Sequence, residues 1–303
     1  MKVSVMITTY NLEKYIARAL DSVLMQDEDF QILVGDDGSD DDTVRIIRQY
    51  QKKYPDIIQL FSMPRTAGEK YDKIERAAAN RMNLWAHAGG EYCCFLDGDD
   101  YYTDSHRLKK MTAVLDDSAN ADCIMCAHNL LIHEEDTGAE SVLCSAKRKR
   151  KLSVKDYWPL MFIQANGLMF RNIYRTHKPE GAIEKRFDDN IITFYLFSLG
   201  KMYYLPECMG AYSQVSTSTW HEADELSKAI INFCEIALEL EISPKSKKYI
   251  LARHYKDIYY LAKQNINLSG EDTTLVLKYL PDSLWYYCLA KIKRVILKIF
   301  KLY

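Results

Sequence analysis

The stretch Cys93-Cys94-Phe95-Leu96-Asp97-Gly98-Asp99-Asp100 decides how this chain is read. Four apolar residues run into three acids within four positions. A continuous apolar run this short suits a buried strand of a parallel sheet. The acids then stand where the strand leaves the sheet, and in open α/β sheets ligands bind outside the carboxyl ends of strands. Carboxylates this close repel one another unless a cation is shared. Their oxygens suit Mg2+ or Mn2+, and Mg2+ is usually held by one or two carboxylates plus substrate phosphates. An acidic turn capping the next helix is the plainer reading of the same residues, so the flanking sequence has to decide.

Upstream, residues 3–9 (Val-Ser-Val-Met-Ile-Thr-Thr) are rich in β-branched side chains and read as a strand. Residues 13–26 carry Tyr15, Ile16, Ala19, Leu20, Val23 and Leu24 at helical spacing. A second apolar run, 30–35, ends in Asp36-Asp37-Gly38-Ser39-Asp40-Asp41-Asp42, and a helix and a strand at 57–61 follow. This β-α-β-α-β order predicts a parallel sheet with right-handed crossovers. Residues 62–73 read as a loop, 74–88 as a helix ended by Gly89-Gly90, 105–116 as a helix and 122–132 as a strand. The polar stretch 134–151, closing in five consecutive bases, reads as a solvated loop. Asn166-Gly167 reads as a turn into a strand, Asp188-Asp189 as the opening of a helix over 190–199, and 202–205 as a strand. Residues 222–265 read as helix pairs broken near Pro244.

The 303 residues suffice for one large domain or two smaller ones. A hydrophobic content of 48% and a charged content of 27% are ordinary for a soluble globular chain. The net charge of −2 gives no electrostatic case for nucleic acid. No segment has the roughly 18 uninterrupted apolar residues of a membrane span, and the N-terminus enters a strand pattern directly, which reads as no signal peptide. The eight cysteines are scattered among apolar neighbours, so reduced thiols and a cytoplasmic location are expected. Cys123 and Cys126 form one CxxC inside an apolar run, which reads as packing and not as a zinc or redox pair.

Two strands therefore end in acids, and a nucleoside-diphosphate site has use for both. One carboxylate can accept a base N–H; the other can hold ribose hydroxyls and a divalent cation that stabilises the diphosphate as a leaving group. Thr8, Thr9 and Tyr10 end the first strand, where backbone and ring can hold the base. Arg81, shortly before the central strand, can add a phosphate contact. A nucleotidyltransferase would show a glycine-rich basic loop after the first strand, where this chain has Thr-Thr-Tyr-Asn-Leu-Glu. A dinucleotide-binding oxidoreductase would show GxGxxG there, and an EF-hand fails because its fifth position is Tyr101. A nucleotide-sugar-binding module without transfer is the other alternative.

In residues 3–11, 36–41, 90–92 and 95–100, by order and spacing, the chain resembles the family-2 inverting glycosyltransferases of the GT-A fold. The resemblance implies an α/β fold with a mainly parallel central sheet flanked by helices. It divides the chain into a GT-A domain over 1–221, with a nucleotide-sugar half (1–105) and an acceptor half (106–221), and a helical region over 222–303. It implies transfer of a sugar from a nucleoside diphosphate, UDP by family habit, to a hydroxyl of a glycan or lipid-linked acceptor in surface-polysaccharide synthesis. Mn2+ or Mg2+ is the implied cofactor. By the same resemblance Thr8, Tyr10 and Asp37 contact the base, Asp97 the ribose, and Asp99 or Asp100 the metal. Asp189 is the implied general base and Asp188 its support, with Gly167 counted among the substrate-binding residues. The family's later Arg-x-His is missing; His221 stands in its place as a third metal ligand.

The last stretch, 284–303, carries Lys291, Lys293, Arg294, Lys298 and Lys301 and no acid. At 100° per residue Lys291, Arg294, Lys298 and Lys301 share one face, apolar residues fill the others, and Trp285, Tyr286 and Tyr287 stand at the entrance. That pattern predicts a helix lying on anionic lipid, hence a peripheral enzyme at the inner membrane face. Packing on the preceding helices, or on a second subunit in a homodimer, is the competing expectation.

Overall fold

A computed structural model describes residues 1–66, 68–144, 148–156, 163–214, 224–263 and 270–299; the side chains of 270–273, 290 and 293–299 are outside that description. His221 lies outside the described residues.

Strands β1 (Val3–Thr9), β2 (Phe30–Asp36), β3 (Ile58–Ser62) and β4 (Tyr92–Asp97) pair in parallel in the order β3-β2-β1-β4. Between them run α1 (Ile16–Leu24), α2 (Thr43–Lys53) and α3 (Lys73–Ala86). The apolar alternation explains the layering. Val3, Val5 and Ile7 of β1, with Tyr92, Cys94 and Leu96 of β4, face a core shared with Ile16, Leu20 and Ile47. Met6, Cys93 and Phe95 point the other way, to a second core with Trp85 of α3. A sheet buried on both faces needs apolar residues at both parities, and that is why its strands read as uninterrupted apolar runs.

The second half adds β5 (Tyr101–Tyr102), α4 (Arg107–Asp116), β6 (Cys123–Glu134), β7 (Glu140–Val142), β8 (Arg150–Leu152), β9 (Leu168–Arg171), α5 (Asp189–Leu199) and β10 (Lys201–Gln214). Strand β9 enters antiparallel between β4 and β6, and β10 lies parallel to β6. The strand expected at 202–205 runs on to Gln214 because irregularities in the β6 register around Leu205–Gly210 carry the chain past Pro206. The stretch expected as a loop over 134–151 contributes the short strands β7 and β8, which pair at the sheet's far side.

Helices α6 (Glu225–Ile242), α7 (Lys247–Arg253), α8 (Tyr255–Lys263) and α9 (Gly270–Ile299) form the C-terminal layer. Their buried residues Phe233, Ile236, Ile250, Leu251 and Ile258 join the same core as Trp85 and Phe194. Helix α9 runs through Pro281 instead of starting after it. Proline frees the carbonyl four residues back, here that of Leu277, a residue 59% exposed, so the freed group lies on a turn open to solvent.

Candidate active site

The carboxyl ends of β1, β2 and β4 lie side by side, and the crevice outside such ends is where open α/β sheets bind ligands. Asn11, at φ 53°, turns the chain out of β1 and is tied to the β2 loop: its amide donates to Asp40 and its backbone N–H to Ser39 Oγ. The acid-rich run after β2 then divides by role. Asp36 accepts from the N–H groups of Gly38 and Ser39 and holds the turn. Asp41 accepts from the N–H of Thr43 at the start of α2 and Asp42 pairs with Arg45. Asp37 alone of the group faces two arginines, Arg65 and Arg76, which bind its two oxygens. Arg65 also donates to the Asp37 carbonyl at 2.7 Å and lies 4.0 Å from the Tyr10 ring, while Arg76 lies 4.5 Å from the Tyr71 ring. These cation–π contacts set guanidinium groups over aromatic rings beside Asp37, with Tyr10 43% exposed.

Helix α3 supplies Arg76 and Arg81 because it docks closely on β2, and the loop after β3 supplies Arg65. Asn80 donates to the Gly35 carbonyl at 2.8 Å, and a Cβ at Gly35 would lie 1.9 Å from Asn80 Oδ1. Glycine is therefore required at the end of β2 for α3 to bring Arg76 to Asp37 and Arg81 to the next carboxylates.

At the end of β4 the three acids have different fates. Asp97 stays 40% exposed, accepts from Thr8 Oγ1 at 2.7 Å and pairs with Arg81 at 3.2 Å. Asp100 is 2% exposed, and both of its oxygens are taken, by the Ser213 N–H at 2.8 Å and the Asn166 amide at 2.6 Å. Burial, with Asp99 and Asp97 nearby, pushes its carboxyl well up. Asn166 is positioned in turn by the fully buried Arg107, which donates to its carbonyl at 3.0 Å and to His128 Nε2 at 2.7 Å. Asp99 is left partly exposed between them. Arg18 holds its carbonyl at 3.1 Å and pairs with Glu135. Burial first, then the Asp97 charge, pushes the Asp99 carboxyl up to about 7. A raised carboxylate beside a second carboxylate is a site where added positive charge is favourable. Hard oxygen donors fit a divalent cation.

Across the crevice, Asp188 and Asp189 open α5. Asp188 is the helix cap, accepting from the N–H groups of Asn190 and Ile191 at 3.1 and 3.0 Å. Asp189 is free of that duty, 30% exposed, and pairs with Arg81 at 3.2 Å. The same Arg81 Nη2 atom thus joins Asp97 to Asp189. Burial pushes the Asp189 carboxyl up to about 6; Arg81 opposes the rise, and Asp97 and Asp188 add to it. Behind it, Asn190 donates to Glu235 of α6 at 3.0 Å and accepts from Arg253 of α7. Glu235, Glu239 and His254 cluster there within 4.8 Å, all buried, with His254 and Glu239 hydrogen-bonded at 3.0 Å. The C-terminal helices thereby clamp the N-terminus of α5.

Of the residues the sequence nominates, Thr8, Thr9, Tyr10, Asp37, Asp97 and Asp99 lie at the strand ends, Asp189 at the start of α5, and Arg81 within α3, where it reaches both Asp97 and Asp189. Thr9 is itself buried, its carbonyl accepting the Asp37 N–H at 2.9 Å. Asp100 faces inward, and Gly167 is buried in a 3-10 turn, where a Cβ would meet the His128 carbonyl at 3.1 Å. The sequence assigns no site role to Arg65, Arg76, Arg18 or Arg107, and to Asn166 only a turn. The signal for the four arginines was basic residues in the loop after β3 and on otherwise apolar helix faces, which ordinarily mean a solvated surface.

The architecture is that of the GT-A fold. The crystal structure of S. aureus TarS residues 1–349 in complex with UDP-GlcNAc superposes with a TM-score of 0.63 at 18% identity, over 94% of this chain and 81% of that one. A mannosyltransferase from Pyrobaculum calidifontis, solved with GDP-Man and Mn2+, gives 0.53 at 16% identity over 97% and 87%. The family model "Glycosyl transferase family 2" matches residues 4–177, more than half of the sequence, and the chain belongs to that family. An uncharacterized protein of Mycobacterium tuberculosis, Rv1520, is 29% identical over 231 residues, 73% of this chain. The chain spans 61% of that relative's length.

Proposed function

We propose that the chain is an inverting glycosyltransferase that moves a sugar from a nucleoside diphosphate, UDP being the first candidate, to an acceptor hydroxyl. The observation that carries this reading is the Arg81 bridge, which sets the donor-side carboxylate Asp97 and the candidate base Asp189 each 3.2 Å from one guanidinium nitrogen. In this reading the base lies against Tyr10, and Asp37 accepts its ring N–H while Arg65 and Arg76 offer donors to ring carbonyls. Asp97 holds the ribose. Asp99, with Asp97 beside it, would hold Mn2+ or Mg2+, which neutralises the diphosphate leaving group. Asp100 serves this site from behind, by fixing the turn that presents Asp99. Asp189 takes the proton of the acceptor hydroxyl as its oxygen attacks the anomeric carbon. The anomeric carbon–phosphate oxygen bond breaks on the opposite face, so configuration inverts and the electron pair leaves with the diphosphate. A carboxyl raised to about 6 is ionised at neutral pH yet basic enough for the task.

The acceptor proposed is a glycan or lipid-linked saccharide of the cell surface, and the location cytoplasmic, against the membrane. The test is a screen of nucleotide sugars for donor hydrolysis and transfer, with Mn2+ and with EDTA. Turnover of at least one donor, lost in EDTA and in Asp99→Asn, is expected. Binding of nucleoside diphosphates without any turnover would reduce the chain to a binding module.

A further inference from the structure

Among its described side chains, helix α9 (Gly270–Ile299) is packed on one side only. Val276, Leu280 and Tyr286 face the core, and Tyr287 stacks on Tyr255 with ring centroids 4.5 Å apart. The opposite side presents Leu277, Leu284, Trp285, Leu289 and Ile292, each 46–64% exposed. At about 100° per residue these five fall within an arc of about 140° and run as one stripe for about four turns. They are five of the eleven large apolar residues most exposed among the described residues, so the exposure is concentrated and not scattered. A contiguous apolar patch of this kind marks an interaction surface.

The charge around the stripe decides what it meets. Lys278 and Lys291 are exposed on the same helix, and the sequence after Asp282 holds five basic residues and no acid. Asp282 itself is paired with Lys247 at 3.1 Å. A second copy packed in the same direction would set Lys278 and Lys291 against their own like charges. An anionic bilayer offers both halves of what the face needs, an acyl interior for Leu284, Trp285, Leu289 and Ile292 and a negative surface for the lysines. We propose that the outward face of α9 docks on an anionic lipid surface, lying in the interface and not crossing it; no described helix is long and apolar enough to cross a membrane. The inference stands on α9 alone and does not rest on the donor site.

The full chain is mixed with vesicles of phosphatidylglycerol and phosphatidylcholine, or of phosphatidylcholine alone, and sedimented. Pelleting is expected with the anionic vesicles, weakening several-fold at high salt, and by about fivefold for each exposed lysine neutralised, since a base near the surface is worth about 1 kcal/mol. The triple variant Leu284→Ser, Leu289→Ser, Ile292→Ser is expected to stay in the supernatant with an unchanged melting temperature and unchanged nucleoside-diphosphate binding. Trp285 emission should shift to the blue on binding, and Trp285→Phe should abolish that shift while still pelleting. A chain that ignores anionic vesicles, or a triple variant that pellets like the parent, overturns the proposal. So does a dimer that the triple variant converts to monomer while vesicles have no effect, which would assign the face to a second copy. Nucleotide binding measured on the same samples keeps a failure here separate from a failure of the donor-site reading.

Discussion

Replacing Arg81 by Met tests the central arrangement most directly, because its outcome depends on pH in a way a loss of packing would not. Arg81 pairs with both Asp97 and Asp189 at 3.2 Å and opposes the rise that burial imposes on Asp189. An arginine beside an aspartate lowers its pKa by about 1–3 units. Sharing between two carboxylates, and 30% exposure of Asp189, place the effect at the low end, about one unit or about 1.4 kcal/mol. The sign follows from the role: a base works ionised, so activity falls as pH drops through its pKa. With Arg81 present that acid limb is expected near 6. Without it the limb should move to about 7, so the ionised fraction falls from about 0.5 to about 0.1 at pH 6, from about 0.9 to about 0.5 at pH 7, and hardly at all at pH 9. The assay is kcat/KM for transfer at saturating Mn2+ between pH 5 and 9, with circular dichroism to confirm the fold. If Arg81 also binds the donor phosphates, its removal lowers the whole curve equally and leaves the displacement readable. A variant curve parallel to wild type at every pH would refute the coupling of Arg81 to the base.

Asp189→Asn should lower kcat about 10²–10⁴-fold and abolish the acid limb, with nucleoside-diphosphate binding by calorimetry nearly intact. Asp99→Asn should retain the melting temperature and lose metal-stimulated turnover. Asp100→Asn should instead destabilise the fold by about 1–3 kcal/mol in urea titration, since its new amide would face donors from Asn166 and Ser213. Glu235→Ala should reduce kcat more than donor KM by freeing Asn190 at the start of α5, while Glu235→Gln, which can still accept that hydrogen bond, should retain most activity; equal behaviour of the two would remove the clamp from the account.

The first half of the fold was written in local pattern. Runs such as Val3–Thr9 and Tyr92–Asp97 are apolar at both parities, so they announce a sheet covered on both faces, and the acids that follow mark its carboxyl edge. The family resemblance rested on the same stretches. What the sequence could not assign was the division of labour among neighbouring like charges. Asp97, Asp99 and Asp100 are chemically alike, and only the tertiary structure turns Asp100 inward to Asn166 and Ser213, 66 and 113 residues away. The same holds for Asp188 and Asp189, one a cap and one free, because the helix start fixes which side chain reaches the N–H groups. Arg65 and Arg76 carry no site signal in the sequence and Arg81 only that of a phosphate contact; Arg65 reaches Asp37 from the loop after β3, while Arg76 and Arg81 become counter-charges of Asp37, Asp97 and Asp189 because Gly35 lets α3 settle on β2. The tail shows the reverse limit: its composition announced an amphipathic helix, but which stripe is packed and which is left bare was decided by docking on α7 and α8. Periodicity and residue type act over a few neighbours and so are legible in the chain; burial and charge pairing depend on partners distant in sequence, and only folding chooses them.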